Sequence, residues 1–266
     1  MVNTDLKIDP EIREDIRLKM GKIRDNPKFY DSRRKAVNNS LIALGDVYSF
    51  WIEHPELRRQ YLTYNLSEET IKKKAKRGIR AIIDGWYFLL NKGRERDFVD
   101  TFDLYDLEKL NSIVYRQGPR VDDVKPGRRF RKGHVTLNAE GYNPPNPDEI
   151  VPELKQLFRE LRRTYHDDPL ETAIHAHLGI AAIQPFDDGN KRCARLVQNR
   201  ILFEDELPPS IIPAGEGRDY LILLCRTLKA YGNKDIDGQR DFYNFNASKV
   251  NSALDEILDD LQVRAE

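Results

Sequence analysis

The chain has 266 residues, 33% charged and 39% apolar, which is long enough to bury a core and too apolar for a disordered polymer. Its 44 Lys and Arg balance 44 Asp and Glu, so no net field argues for nucleic acid or an anionic membrane as partner. Two cysteines, Cys193 and Cys225, exclude a disulfide framework, and no apolar run reaches the roughly 18 residues of a membrane span. The opening Met1-Val2-Asn3-Thr4-Asp5 lacks a secretory apolar stretch, so the expectation is a cytoplasmic protein with free thiols.

Taken in chain order, the segments read as helices. Asp9-Pro10-Glu11 predicts a charged helix to about Asp25, and a second is expected over residues 34–53. Ser67-Glu68-Glu69 opens a longer one, with Ile79, Ile82, Ile83, Trp86 and Leu89 near helical spacing. Residues 103–116 carry Leu104, Leu107, Leu110, Ile113 and Val114 on another stripe. Gly118-Pro119 and Pro126-Gly127 then punctuate the chain, and His134-Val135-Thr136-Leu137 reads as one arm of a short β-hairpin or flap. Pro144, Pro145 and Pro147 bar a helix interior there, because proline has no amide to donate. A helix follows from Asp148-Glu149 to Arg163.

Asp168-Pro169-Leu170-Glu171 is a strong helix start: N-cap, first-turn proline, acid at N3. The helix behind it is apolar on most sides, which predicts a central, buried position. It stops at Gln184-Pro185, and Asn190 starts another to about Phe203. Two C-terminal helices follow, the last with Val250, Leu254, Ile257, Leu258 and Leu261 on one stripe. The expected organisation is a helical extension over residues 1–35 and one mainly helical domain over 36–266.

The turn Phe186-Asp187-Asp188-Gly189-Asn190-Lys191-Arg192-Cys193-Ala194-Arg195 carries the candidate chemistry. A helix beginning at Asn190 presents free amides and a positive dipole end, a ready anion site. Lys191 and Arg192 in its first turn oppose that dipole unless an anion such as a polyphosphate lies between them, and Arg195 projects beside Arg192. Asp188 offers a carboxylate oxygen for Mg2+, and Gly189 permits close backbone approach. The same residues also fit an ordinary helix–turn–helix corner with surface charges.

These residues resemble the signature of the Fic/Doc (Fido) family, HxFx[DE]GN[GK]RxxR. Of its eight specified positions seven agree: Phe186, Asp188, Gly189, Asn190, Lys191, Arg192 and Arg195. Residues 126–137 with Pro144-Pro145 are similar to the family's flap region, and His177 matches a histidine often found seven residues before the motif. The resemblance implies an all-α Fic-fold helical bundle with a short β-hairpin flap, binding ATP or another nucleotide with Mg2+. It implies transfer of a nucleoside monophosphate, most often AMP, to a Ser, Thr or Tyr hydroxyl of a target protein. By position, Gly189, Asn190, Lys191, Arg192 and Arg195 would bind the phosphates and Asp188 the metal. Phe186 would anchor the loop, and His134, Val135, Thr136 and Leu137 would align the target by strand addition.

The departure is at the catalytic position, where the pattern has histidine and this chain has Gln184. Imidazole accepts a proton near neutral pH; an amide has no useful basicity. Either activity is weakened or altered, or the protein is an inactive nucleotide- or partner-binding module. Of conceivable substitute bases, His177 reads as a core histidine and Asp187 as a solvated loop carboxylate. Residues 40–45 fit the frame of the family's inhibitory helix, [ST]xxxE[GN], with Leu44 at the glutamate position, where it cannot pair with Arg195.

Overall fold

The computed structural model describes residues 7–26, 68–92, 97–116, 130–135, 137 and 141–263. The helix expected over 34–53, Leu44 and the boundary at residue 35 lie outside them. In chain order the helices are α1 (Pro10–Arg24), α2 (Glu68–Asn91), α3 (Phe98–Thr101), α4 (Leu104–Arg116), α5 (Ile150–Thr164) and α6 (Pro169–Ile183). They continue with α7 (Asn190–Glu204), α8 (Gly217–Gly232) and α9 (Arg240–Val263), with short 3-10 turns at Ala214–Glu216 and Asp237–Gln239. Among the described residues there is no strand, so the fold is all-α. Of the expected flap, His134, Val135 and Leu137 are described and carry no strand pairing, while Thr136 lies outside.

The middle of the molecule is the α6–α7 pair. Twelve of the fifteen residues of each are buried, so both helices run through the core rather than along its surface. Helix α6 manages this by being apolar all round. Gly179 lets α5 close on it, since a Cβ there would stand 2.6 Å from a Leu157 methyl. Asp168 caps α6 through Oδ1, which accepts from the Glu171 amide at 2.9 Å. The capping box is incomplete: Glu171 turns instead to the N-terminal segment, accepting from Lys7 N at 3.3 Å and Arg13 Nη2 at 2.8 Å.

Helix α7 buries Arg192, Arg195, Gln198, Asn199 and Arg200, which must be satisfied inside. Arg200 caps the end of α2, donating to Leu89 O and Lys92 O at 3.1 Å each, and lies 4.7 Å over the Phe98 ring. Asn199 Oδ1 accepts from Ser210 N at 3.1 Å. Around this pair α4 presents Leu107, Leu110 and Val114, and α2 presents Ile82, Trp86 and Leu89, all buried.

Helix α1 packs on α9. Ile16, Met20 and Ile23 join the same core as α6, and Asn251 Nδ2 donates to Asp15 Oδ2 at 2.7 Å. Lys19 Nζ bridges Asp15 at 2.9 Å and Asp255 at 2.6 Å. None of the helices among the described residues is long and apolar enough to cross a membrane.

Candidate functional site

Helix α6 ends because Pro185 follows Gln184, which biases the residue before it away from helix. Gln184 takes a left-handed backbone, φ 48° and ψ 56°, and the chain turns through Phe186 and the exposed Asp187 to Gly189. Gly189 sits at φ 85°, and a Cβ there would meet Asn111 Nδ2 at 2.8 Å. Only glycine satisfies both the dihedral and the space. Helix α7 then opens at Asn190 with its amides at the turn.

Asn190 holds this corner together. Its Oδ1 accepts from Phe186 N at 2.9 Å, and its Nδ2 donates to Phe186 O at 2.7 Å and to Gln184 Oε1 at 2.9 Å. The Asn190 side chain is thus committed to the loop rather than offered to a ligand. Gln184 is committed likewise, its Nε2 donating to Ala181 O at 2.7 Å. Phe186 anchors the loop against Phe130, ring centroids 5.6 Å apart. Asn111 on α4 steadies the far side, donating to Asp188 O at 2.9 Å.

Arg192 and Arg195 are 3% and 6% exposed. Arg192 Nη2 pairs with Asp188 Oδ1 at 3.1 Å, and its Nε is buried with no hydrogen-bond partner. A buried, unused guanidinium donor at a helix N-terminus is what an incoming anion would satisfy. Arg195 Nη1 donates to Tyr220 Oη at 3.3 Å, and the guanidinium lies 5.6 Å over that ring. Lys191 is half-buried on the first turn.

Asp188 is 44% exposed on its side chain. Its Oδ1 accepts from Gly189 N at 2.6 Å and meets Arg192, which leaves the other oxygen for a cation. One carboxylate suits Mg2+ that takes its remaining ligands from phosphate and water. Elsewhere among the described residues, the ligand atoms of Asp97, Asp100 and His166 lie within 4.8 Å of one another, at α3 and the end of α5 rather than at the corner.

His177 is fully buried, its ring between Gln198 Oε1 and Tyr220 Oη, the latter 2.9 Å from Nε2. It bridges α6, α7 and α8 as a core histidine. Cys193 sits under the loop, and burial pushes its thiol up to about 12, so it is no thiolate nucleophile. His134 is exposed, while Val135 and Leu137 are half-buried.

Two residues of the site escaped sequence reasoning: Asn111 and Tyr220. Asn111 had a signal, since it lies four residues after Leu107 and three before Val114 on a buried stripe. Arg131, in the stretch that resembles the family's flap region, is 3% exposed.

The all-α frame of the described residues is shared with solved Fic-domain structures. Residues 101–202 match the family model described as "Fic/DOC family". The chain is 31% identical over 140 residues to the protein adenylyltransferase Fic of Drosophila persimilis, covering 52% of this chain and 26% of that protein. It is 30% identical over 129 residues to the protein adenylyltransferase fic-1 of Caenorhabditis elegans, covering 48% and 24%. It spans about a quarter of the length of these curated relatives. A Fic domain containing signaling protein from Bacteroides thetaiotaomicron superposes with a TM-score of 0.69 over 90% of this chain and 95% of that one, at 20% identity.

Proposed function

We propose that the corner binds the phosphates of ATP with Mg2+ and that the chain transfers AMP to a Ser, Thr or Tyr hydroxyl of a protein, with activity weakened by Gln184. The observation that carries this is Arg192, a buried guanidinium with a partnerless Nε at the N-terminus of α7. The α7 amides after Gly189, with Lys191, Arg192 and Arg195, supply the positive field for the triphosphate. Asp188 would hold Mg2+, which supplies further charge neutralisation when bound. The acceptor oxygen forms a bond to the α-phosphorus, the bond to pyrophosphate breaks, and the hydroxyl proton leaves to solvent. Gln184 cannot take that proton; its amide can only orient a group by hydrogen bonding. The names of the relatives, protein adenylyltransferases, support the same chemistry.

A second reading, an inactive nucleotide- or partner-binding module, is favoured by one observation. The Gln184 amide is held by Ala181 and Asn190 and has no basic atom. Mg2+ and labelled ATP test the binding step, which fails if wild type and Arg192→Ala bind equally weakly. Incubation of a lysate with ATP labelled at its α-phosphate separates the two readings. Transfer by wild type that is lost in Arg192→Ala supports the enzyme; transfer seen only with Gln184→His supports the module.

A further inference from the structure

Helix α6 ends inside the protein, and its terminal carbonyls must find donors away from water. Six consecutive carbonyls, 180 to 185, are each met. Ile180 O takes the Gln184 amide at 3.2 Å and Ala181 O takes Gln184 Nε2 at 2.7 Å. Ala182 O takes the Tyr142 hydroxyl at 3.0 Å. The remaining three all go to one residue. Arg131 donates from Nη2 to Ile183 O at 3.5 Å, from Nε to Gln184 O at 2.7 Å, and from its main-chain N to Pro185 O at 2.9 Å.

The same guanidinium also reaches both ends of the segment proposed as the flap. Nη1 donates to Gly133 O at 2.8 Å and Nη2 to Pro145 O at 2.5 Å. Its charge lies at the negative end of the α6 dipole, which favours a cation. Burial pushes the Arg131 pKa down, with Asp187 as the nearby counter-charge, but a guanidinium remains ionised. A planar fork with five N–H donors can serve four carbonyls from three chain segments; an ammonium on a flexible stem cannot hold them in register.

We propose that Arg131 is a positioning residue: it joins both ends of the 131–145 segment to the corner, so a single guanidinium sets the register of the flap against position 184. This rests on the nucleotide site proposed above, yet the clamp can be read without nucleotide. Failure of ATP binding and failure of the clamp are therefore separate results.

The experiment is hydrogen–deuterium exchange on the whole chain, comparing wild type, Arg131→Lys and Arg200→Lys. Arg200 is the control: it too is buried and donates to two carbonyls, at the end of α2. Arg131→Lys is expected to raise exchange about tenfold or more in peptides over 130–146 and 181–187 together, while Arg200→Lys leaves both at wild-type rates. The wild type should also show a slowly exchanging Arg131 Nε–H resonance. Wild-type exchange in Arg131→Lys, loosening on one side only, or equal loosening in Arg200→Lys overturns the proposal. If Arg131→Lys does not fold, the wild-type Arg131 Nε–H decides alone: slow exchange supports the clamp, and exchange at the rate of a solvent-exposed guanidinium overturns it.

Discussion

Asn190 Nδ2 donates to Gln184 Oε1 at 2.9 Å, across the corner between the two central helices. Gln184 is therefore a structural tie between the end of α6 and the start of α7. That relationship bears on what substitutions here should do.

Gln184→His gives the corner a base that titrates near neutrality. If an acceptor hydroxyl reaches position 184, labelled transfer from ATP should rise by about 10²–10⁴-fold, the usual contribution of general base catalysis. Label incorporation per minute in a lysate, at matched protein concentration, checks it. The variant gives up the bond to Ala181 O unless the imidazole replaces it.

Gly189→Ala should destabilise the fold by about 2 kcal/mol, combining a left-handed backbone with a close contact. Its φ is 85° and the added methyl would stand 2.8 Å from Asn111 Nδ2. Urea unfolding measures the loss, and the double variant with Asn111→Ala should recover the steric part and keep the dihedral part.

Asp168 serves two roles that substitution can separate. It caps α6 through the Glu171 amide and forms an ion pair with Arg13. Asp168→Asn keeps the cap and loses the pair, whereas Asp168→Ala loses both. The difference between the two in urea unfolding is expected to be about 1 kcal/mol, the ordinary worth of an N-cap.

His175 makes stability depend on pH. Burial holds its pKa below the usual 6.5, against the opposing pull of Glu160. The neutral ring can donate from Nε2 to Glu160, 3.3 Å away, and accept at Nδ1 from Tyr243 Oη, 3.0 Å away. The hydrogen bond from His175 in turn holds the Glu160 carboxyl down at about 2. A histidine with a lowered folded pKa stabilises the fold above its unfolded value. That contribution is lost as pH falls below about 6.5, because the unfolded chain takes the proton more readily. Lys7, held low by burial, and Glu171, raised by burial, face the same cluster, so the informative quantity is a difference. Unfolding free energies at pH 7 and pH 5.5 should drop more in wild type than in His175→Gln.

Much of the helical frame was legible, and for identifiable reasons. Proline and aspartate at the start of α1 and of α6 leave a local signature, and Pro185 and Gly189 mark the corner because backbone geometry favours those residues there. The stripe of α4 gave its buried face. What the sequence concealed was tertiary. Arg131 answers to carbonyls more than fifty residues away, and no periodicity records such a partner. Helix α3 is four residues long, too short to show a period. The run His134-Val135-Thr136-Leu137 alternates like a strand, yet the described residues there pair with none. The capping-box glutamate was drawn off to Lys7 and Arg13, a competition only the folded chain reveals.

The corner from Gln184 to Arg195 is one short, continuous stretch, closed by bonds between residues four to six apart. Closing so small a loop costs little chain entropy, and local contacts of this kind form early. The Arg131 tie spans 53 residues and must await a longer search. During synthesis or refolding the corner would thus be in place before its neighbouring segment is fastened, which gives the two parts separate birthdays.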